Sequence, residues 1–564
     1  MRTPVVTVVS VLLALTAGAC RGTLELEPSD HDTILSTQAL EAPDPAQKGD
    51  FQVETFYYGR GDDLRRPEFR DSVLLRTGSV DASFMVSLGD NGKERREYWG
   101  FSPDSFPVNG RVWHPVGEGP FPLVLVAHGN HDMKDFSDPG YDYLGEHLAS
   151  RGYILASLDM NFLNGSIRGE NDARGWMFLK HLQEWERFNE LEESPLRGKV
   201  ELDRVSLIGH SRGGEAVGHA AAFNTLGHYP DDANQEFEFG FGIRSIVAIA
   251  PVDGQYRPSD QGVPLTDVSY LVFHGSHDGD VTSFHGLRQY NRVTFTPDFQ
   301  GFKAAIYVYR ANHGQWNTVW GARDNGPRSD RILDLRGLLA PEDQRRFALV
   351  YVTSFLEATL RGEGAYLPLF MDHRVAGGWL PQTMYITRFQ DASYRSLASF
   401  DEDIDVTTGS LPGVELRGDS LGTWREGTLT LRSRNRTNTS ASQETQAVWL
   451  GWNRAVQGAP EGELGRPGRY QVILPAGLAS EWSLDGASTL DFALGPTDSK
   501  PGPRKRENES EGEEQSREGG ASNRGGEERE VARDDEEAPE PVDLSIELRD
   551  ASGETASVAL SRYG

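Results

Sequence analysis

Between residues 120 and 361 the chain alternates repeatedly between short runs of consecutive apolar residues and longer stretches with helical spacing. The runs Leu123-Val124-Leu125-Val126-Ala127 and Ile154-Leu155-Ala156-Ser157-Leu158 are almost uninterrupted, as strands covered on both faces require. Helical stretches are predicted at 143–151, 176–188 and 213–223, and further strands at 204–208, 245–250, 270–273 and 304–309. This order predicts an α/β fold with a mostly parallel sheet and helices on both faces.

The flanks read differently. Upstream, the apolar pieces Phe56-Tyr57-Tyr58 and Ser83-Phe84-Met85-Val86 stand between Gly and charged clusters and predict antiparallel strands, so that the main domain spans 51–365. From 366 to 564 the helical period disappears. Strand-like pieces at 428–431, 448–452, 470–474 and 490–494, and a closing hairpin from 544–548 and 556–560, predict a C-terminal β-sandwich. An acidic stretch at 498–541 interrupts it; with almost nothing apolar to offset its ordering entropy, it is expected to be a disordered insertion. Trp449 and Trp452 fit the sandwich core better than a sugar- or polymer-gripping surface, and the tryptophans of the 176–185 stretch fit a helix core better than a pocket.

A formal net charge of -29 argues against a nucleic-acid partner, because phosphate binding needs clustered Lys and Arg. Cys20 is the sole cysteine, which excludes an internal disulfide. It ends a leader with Arg2, an apolar run at 5–15 too short to span a bilayer, and the small residues Ala17-Gly18-Ala19. Residues 1–20 thus resemble a bacterial lipoprotein signal with Cys20 as the lipidated residue, while Ala17-Gly18-Ala19 equally satisfies the ordinary export cleavage rule. Either route implies export, as an envelope lipoprotein of the outer membrane or surface, or as a secreted form. Membrane contact is expected only through a lipid on Cys20, and residues 21–50 read as a tether.

The chemistry concentrates in Arg204-Val205-Ser206-Leu207-Ile208-Gly209-His210-Ser211-Arg212-Gly213-Gly214, where an apolar strand runs into G-x-S-x-G and then into a small-residue helix. A serine held in so tight a turn needs flanking positions without bulk, which Gly209 and Gly213 supply. The segment resembles the nucleophile elbow of the α/β-hydrolase superfamily and is similar in wording to its chlorophyllase, platelet-activating-factor acetylhydrolase and polyester-hydrolase branches. The resemblance covers roughly residues 108–362.

That resemblance implies a serine hydrolase whose acid and base follow the nucleophile in chain order. Asp278, in the loop after strand 270–273, matches the acid position, with Asp280 and Asp253 as rivals. His313, after the last strand, matches the base, with His285 and His373 as fallbacks. The oxyanion hole is expected from the backbone N–H of Arg212 and of Asn130, the latter in His128-Gly129-Asn130, where His128 braces the loop. A metal site at His128, His131 and Asp132 lacks a second ligand cluster, so the expected cofactor set is none. The implied partner is a small-molecule or polymeric ester. The same machinery fits an amidase or acyltransferase, and a noncatalytic surface-binding lipoprotein on a hydrolase scaffold is the alternative from another class.

Overall fold

The apolar runs pair side by side into one sheet in a computed structural model that describes residues 40–89, 92–324, 333–429, 445–452, 467–484, 488–495 and 544–559. Its ten strands are β1 (Val53–Gly59), β2 (Val73–Arg76), β3 (Gly110–Pro115), β4 (Phe121–Ala127), β5 (Ile154–Leu158), β6 (Val200–His210), β7 (Ile243–Ile249), β8 (Ser269–Gly275), β9 (Phe302–Val308) and β10 (Tyr385–Asp391). Their order is β10-β9-β8-β7-β6-β4-β5-β3-β1-β2. The block from β5 to β9 is parallel, whereas β3 and β10 add antiparallel at its two sides.

Successive side chains of a strand point to opposite faces, and here both faces are covered. Leu123, Leu125 and Ala127 join one buried cluster with α2 (Asn171–Glu190), α3 (Arg212–Phe223) and α4 (Gly286–Arg292). Val124 and Val126 join the other, with α1 (Asp142–Ser150) and α5 (Pro341–Leu360). Each fully buried large apolar side chain contributes about 1.5–3 kcal/mol, so an uninterrupted apolar strand is stabilised from both sides.

The sheet also sets where a site can form. The chain passes from β4 outward to β5 and then crosses back to β6 on the opposite side of β4. The register makes the carboxyl ends level: Ala127 pairs with Gly209, His210 with Ile249, Ile249 with Phe273, and Gly275 with Val308. Everything that follows those strands converges at the switch in strand order, where open α/β sheets bind ligands.

Several expectations change. Residues 83–86 form a turn rather than a strand: Ala82 accepts hydrogen bonds from the Met85 and Val86 amides, and the apolar character serves burial of Met85 and Val86. The first compact unit continues to Tyr394, because β10 pairs along β9. Residues 40–50, at the end of the expected tether, pack on α1 and α5, with Asp44 bridged to Arg346 at 2.7 Å and the Pro45 carbonyl bonded to His147 Nε2 at 2.9 Å. The second unit, from Arg395, contains among its described residues three two-stranded antiparallel sheets: 415–419 with 469–473, 423–428 with 446–451, and 545–549 with 555–559. Residues 490–494 are irregular, with Leu490, Phe492 and Leu494 exposed. The leader with Cys20 and the 498–541 insertion lie outside the described residues.

One buried ion cluster ties the segment after β1 to the loops after β4 and β5. The Arg66 guanidinium, fully enclosed, lies 2.8 Å from Asp138, 3.2 Å from Asp159 and 2.9 Å from Glu68, and packs over the Phe136 ring. Removing one partner leaves a buried charge, Asp138 above all, without its counter-ion. Arg66→Ala is therefore expected to lower stability by about 3–5 kcal/mol, measurable by urea denaturation; a loss under about 1 kcal/mol would show that the cluster is not strongly coupled to folding.

Candidate active site

Ser211 is the single residue between β6 and α3, and its backbone lies at φ 59°, ψ -120°. A non-glycine residue in such a conformation costs on the order of 1–3 kcal/mol and persists only where its surroundings hold it. They do so through three main-chain bonds: the Ser211 amide donates to Ile249, while its carbonyl accepts from Gly214 and Val252. The glycines are obligatory here. A Cβ on Gly209 would lie 1.9 Å from the Gly213 carbonyl oxygen, and one on Gly213 would lie 2.5 Å from that of Ala127.

Asp278 sits in the loop after β8 with its carboxylate fixed on both oxygens. Oδ1 accepts from the amides of Asp280 (3.0 Å) and Val281 (2.7 Å), and Oδ2 faces His313 Nδ1 at 2.8 Å. His313 Nδ1–H therefore donates to the carboxylate, and Nε2 is the free nitrogen. Nε2 is buried without a hydrogen-bond partner among the described residues, 3.6 Å from Asp280 Oδ2. The Ser211–His313 hydrogen bond is thus the one link of the expected triad that is not closed. In resting hydrolases such contacts are often long and tighten around substrate. Burial disfavours the imidazolium, but the Asp278 charge and hydrogen bond, with Asp280 and Asp324 behind them, outweigh it and raise His313 to about 9.

The rivals are engaged elsewhere. Asp253 is ion-paired with Arg292, and Asp280 faces the wrong ring nitrogen for the acid role. The His373 ring lies tilted against that of Tyr385, and His285 lies at the start of α4, held by burial at about 4.

The base loop is pinned from three sides, by residues the sequence analysis did not single out. His210 Nε2–H donates to the His313 carbonyl at 3.0 Å, which leaves its Nδ1 to accept from Tyr141 Oη at 3.1 Å. The His210 and His313 rings lie 5.0 Å apart, so the residue before Ser211 joins the elbow to the base. Gln344 of α5 accepts from the Asn312 amide and donates to the Asn312 carbonyl. Asp324 accepts from the His313 and Gly314 amides. Above them, Trp320 stacks nearly parallel to both His313 and His131 and donates its indole N–H to Ser137.

Gly129 abuts the elbow: a Cβ there would lie 2.5 Å from Ser211 Cβ and 2.7 Å from the Arg212 amide nitrogen. Asn130, one residue on, is anchored through Oδ1, which accepts from the Gly165 amide at 2.7 Å. His128 Nδ1–H donates to the Gly129 carbonyl and Nε2 accepts from Met160, so both nitrogens are occupied and burial keeps the ring neutral, near 3. That leaves no lone pair for a metal. Arg212 directs its guanidinium away from the turn, to Glu170 and the Ile167 carbonyl.

A serine elbow at the switch point, an acid after β8 and a histidine after β9 follow one architecture. The fold is that of an α/β-hydrolase. Comparison with known proteins agrees: the family described as Chlorophyllase matches residues 102–266. Bis(hydroxyethyl) terephthalate hydrolase of Streptomyces coelicolor is 25% identical over 199 residues, which is 32% of this chain and 59% of that protein's length. The chain thus spans less than two thirds of the Streptomyces relative, and the family match falls within the first compact unit. Within it, Gly209→Ala is expected to cost about 1–3 kcal/mol or more, since backbone rather than a flexible side chain must move, and a thermal melt equal to that of the parent protein would contradict the elbow geometry.

Proposed function

We propose that this protein is an exported serine hydrolase that cleaves carboxylic esters through an acyl-enzyme intermediate. The observation that carries the reading is the Asp278–His313 hydrogen bond, whose histidine is tied through its carbonyl to His210, the residue before the strained serine. A serine hydroxyl becomes a competent nucleophile only when a neighbouring base takes its proton. In the proposed cycle Ser211 Oγ attacks the ester carbonyl carbon while its proton passes to His313 Nε2. Charge developing on the carbonyl oxygen is met by the amides of Arg212 and Asn130. The tetrahedral adduct collapses, the carbon–oxygen bond to the alcohol breaks, and His313 returns the proton to the departing oxygen. Water, deprotonated by His313, then releases the acid and restores Ser211. Asp278 holds the imidazole in the tautomer this requires.

The terephthalate ester named for the Streptomyces relative makes small aromatic esters the first substrates to assay. Ser211→Ala is expected to reduce p-nitrophenyl ester hydrolysis at least about a thousandfold and to abolish labelling by a fluorophosphonate probe. Unchanged turnover in that variant would end the assignment. If labelling succeeds while every ester in a panel is inert, an amidase or acyltransferase replaces the esterase.

The carboxylates around His313 give a second expectation. Attack needs the neutral imidazole, so kcat/KM should climb as pH rises through about 9. Asp280→Asn removes the charge nearest Nε2, lowers the imidazole's proton affinity and moves the climb to lower pH. A rate profile that is level from pH 6 to pH 10 would contradict this account.

Export is proposed on the leader alone, with a lipid on Cys20 as its sharper form; retention of radiolabelled palmitate by the parent protein but not by Cys20→Ser tests it.

A further inference from the structure

We infer that Asp324 is a positioning residue of the active site, a single carboxylate that locks the acid loop and the base loop together so that Asp278 and His313 meet in register. The inference rests on the hydrolase reading above and adds to it a residue outside the expected triad.

Asp324 lies in the segment that follows the base loop, and both of its oxygens are shared. Oδ2 accepts from the amide of Gly279 at 2.9 Å, directly after the acid, and from the amide of His313 itself at 3.0 Å. Oδ1 accepts from the Gly314 amide at 2.9 Å and from Asn312 Nδ2 at 2.6 Å. Four donors from two loops thus converge on one group. The loops are separated by α4 and β9 in sequence. Near their bases Ser276 and His277 bond the end of β9 and the start of the base loop, and Gln344 and His210 hold the base loop from other elements. At the level of the acid and the imidazole, Asp324 joins the two main chains directly.

The sequence makes room for this arrangement. A Cβ on Gly314 would lie 2.3 Å from the Gly321 carbonyl oxygen, in the segment leading to Asp324, and 3.3 Å from Asp324 Oδ1. Any larger residue after His313 would therefore push that segment away.

The energetic logic is that of charge-assisted hydrogen bonds. A carboxylate that accepts from main-chain amides makes bonds about twice as strong as neutral pairs, and burial strengthens them further. Burial raises the Asp324 carboxyl from its ordinary range, while the Gly279 and His313 amides and the His313 charge pull the other way. Asp324 also adds its negative charge to the field at the imidazole. The other groups facing that ring are Asp278 and Asp280 from the acid loop and the imidazoles of His210 and His274, both kept neutral by burial.

A group that only stabilised the fold and a group that positions the base differ in what they move. The test compares the full chain with Asp324→Asn and Asp324→Glu for kcat, KM and the pH dependence of kcat/KM on a p-nitrophenyl ester, alongside fluorophosphonate labelling. Asp324→Asn keeps the shape but loses the charge and two acceptor sites. It is expected to lower kcat about tenfold to a hundredfold with KM within about twofold, and to move the rising limb to lower pH by roughly half a unit. Asp324→Glu keeps the charge but not the reach, so kcat should fall with the limb unmoved. The inference is overturned if Asp324→Asn matches the parent in kcat and limb, or if both variants lose activity with no difference between their limbs. Where Asp324→Asn yields no folded protein, amide hydrogen exchange on the parent decides: slow exchange at Gly279, His313 and Gly314 supports the clamp, and free exchange at these amides overturns it. Absence of fluorophosphonate labelling in the parent would instead refute the hydrolase reading on which the inference rests.

Discussion

The close approach of strand β6 to helix α3 is the constraint on which the rest of the site depends. No side chain fits between Gly209 and the Gly213 carbonyl, and none fits between Gly213 and the end of β4. With both glycines in place, the helix begins one residue after the strand ends, and that residue is forced into a conformation a serine would not choose alone. The main-chain bonds from Ser211 to Ile249, Gly214 and Val252 distribute the cost over three neighbours on β7, α3 and the following loop.

Level strand ends then bring chemistry from distant parts of the chain to that turn. Parallel strands in register finish at one edge, so the loops after β4, β6, β8 and β9 share a small volume although they are as much as 185 residues apart in sequence, as His128 and His313 are. The switch in strand order places the His128-Gly129-Asn130 loop directly against Ser211 rather than beyond another strand. Asp253, after β7, is instead engaged by Arg292 of α4.

Electrostatics separate the histidines by role. His128 and His210 are buried without a carboxylate partner, so they stay neutral and act as fixed-tautomer hydrogen-bonding struts. His313 is just as buried, yet Asp278, Asp280 and Asp324 surround it and favour its charged form. Identical side chains thus differ in proton affinity according to whether negative charge lies within reach.

Local pattern alone determined the strands from β4 to β9, the helices α1 to α3 and the position of the elbow, because apolar run length and the Gly-x-Ser-x-Gly spacing are properties of contiguous residues, whereas α4 and α5 were not among its expectations. It also nominated Ser211, Asp278 and His313, two of which the folded chain joins through a hydrogen bond. Residues 83–86 misled because apolar side chains on a buried turn resemble those of a strand, and β10 was passed over because its alternation sits beyond the helical region and pairs only with β9. Asp324, His210 and Gln344 were not singled out, since an acid in an irregular stretch, an imidazole at the end of a strand or an amide in a helix acquires meaning only from the loops that reach it. Which carboxylate meets which ring nitrogen was settled by the tertiary structure, because that choice turns on distances between segments that no spacing along one chain encodes.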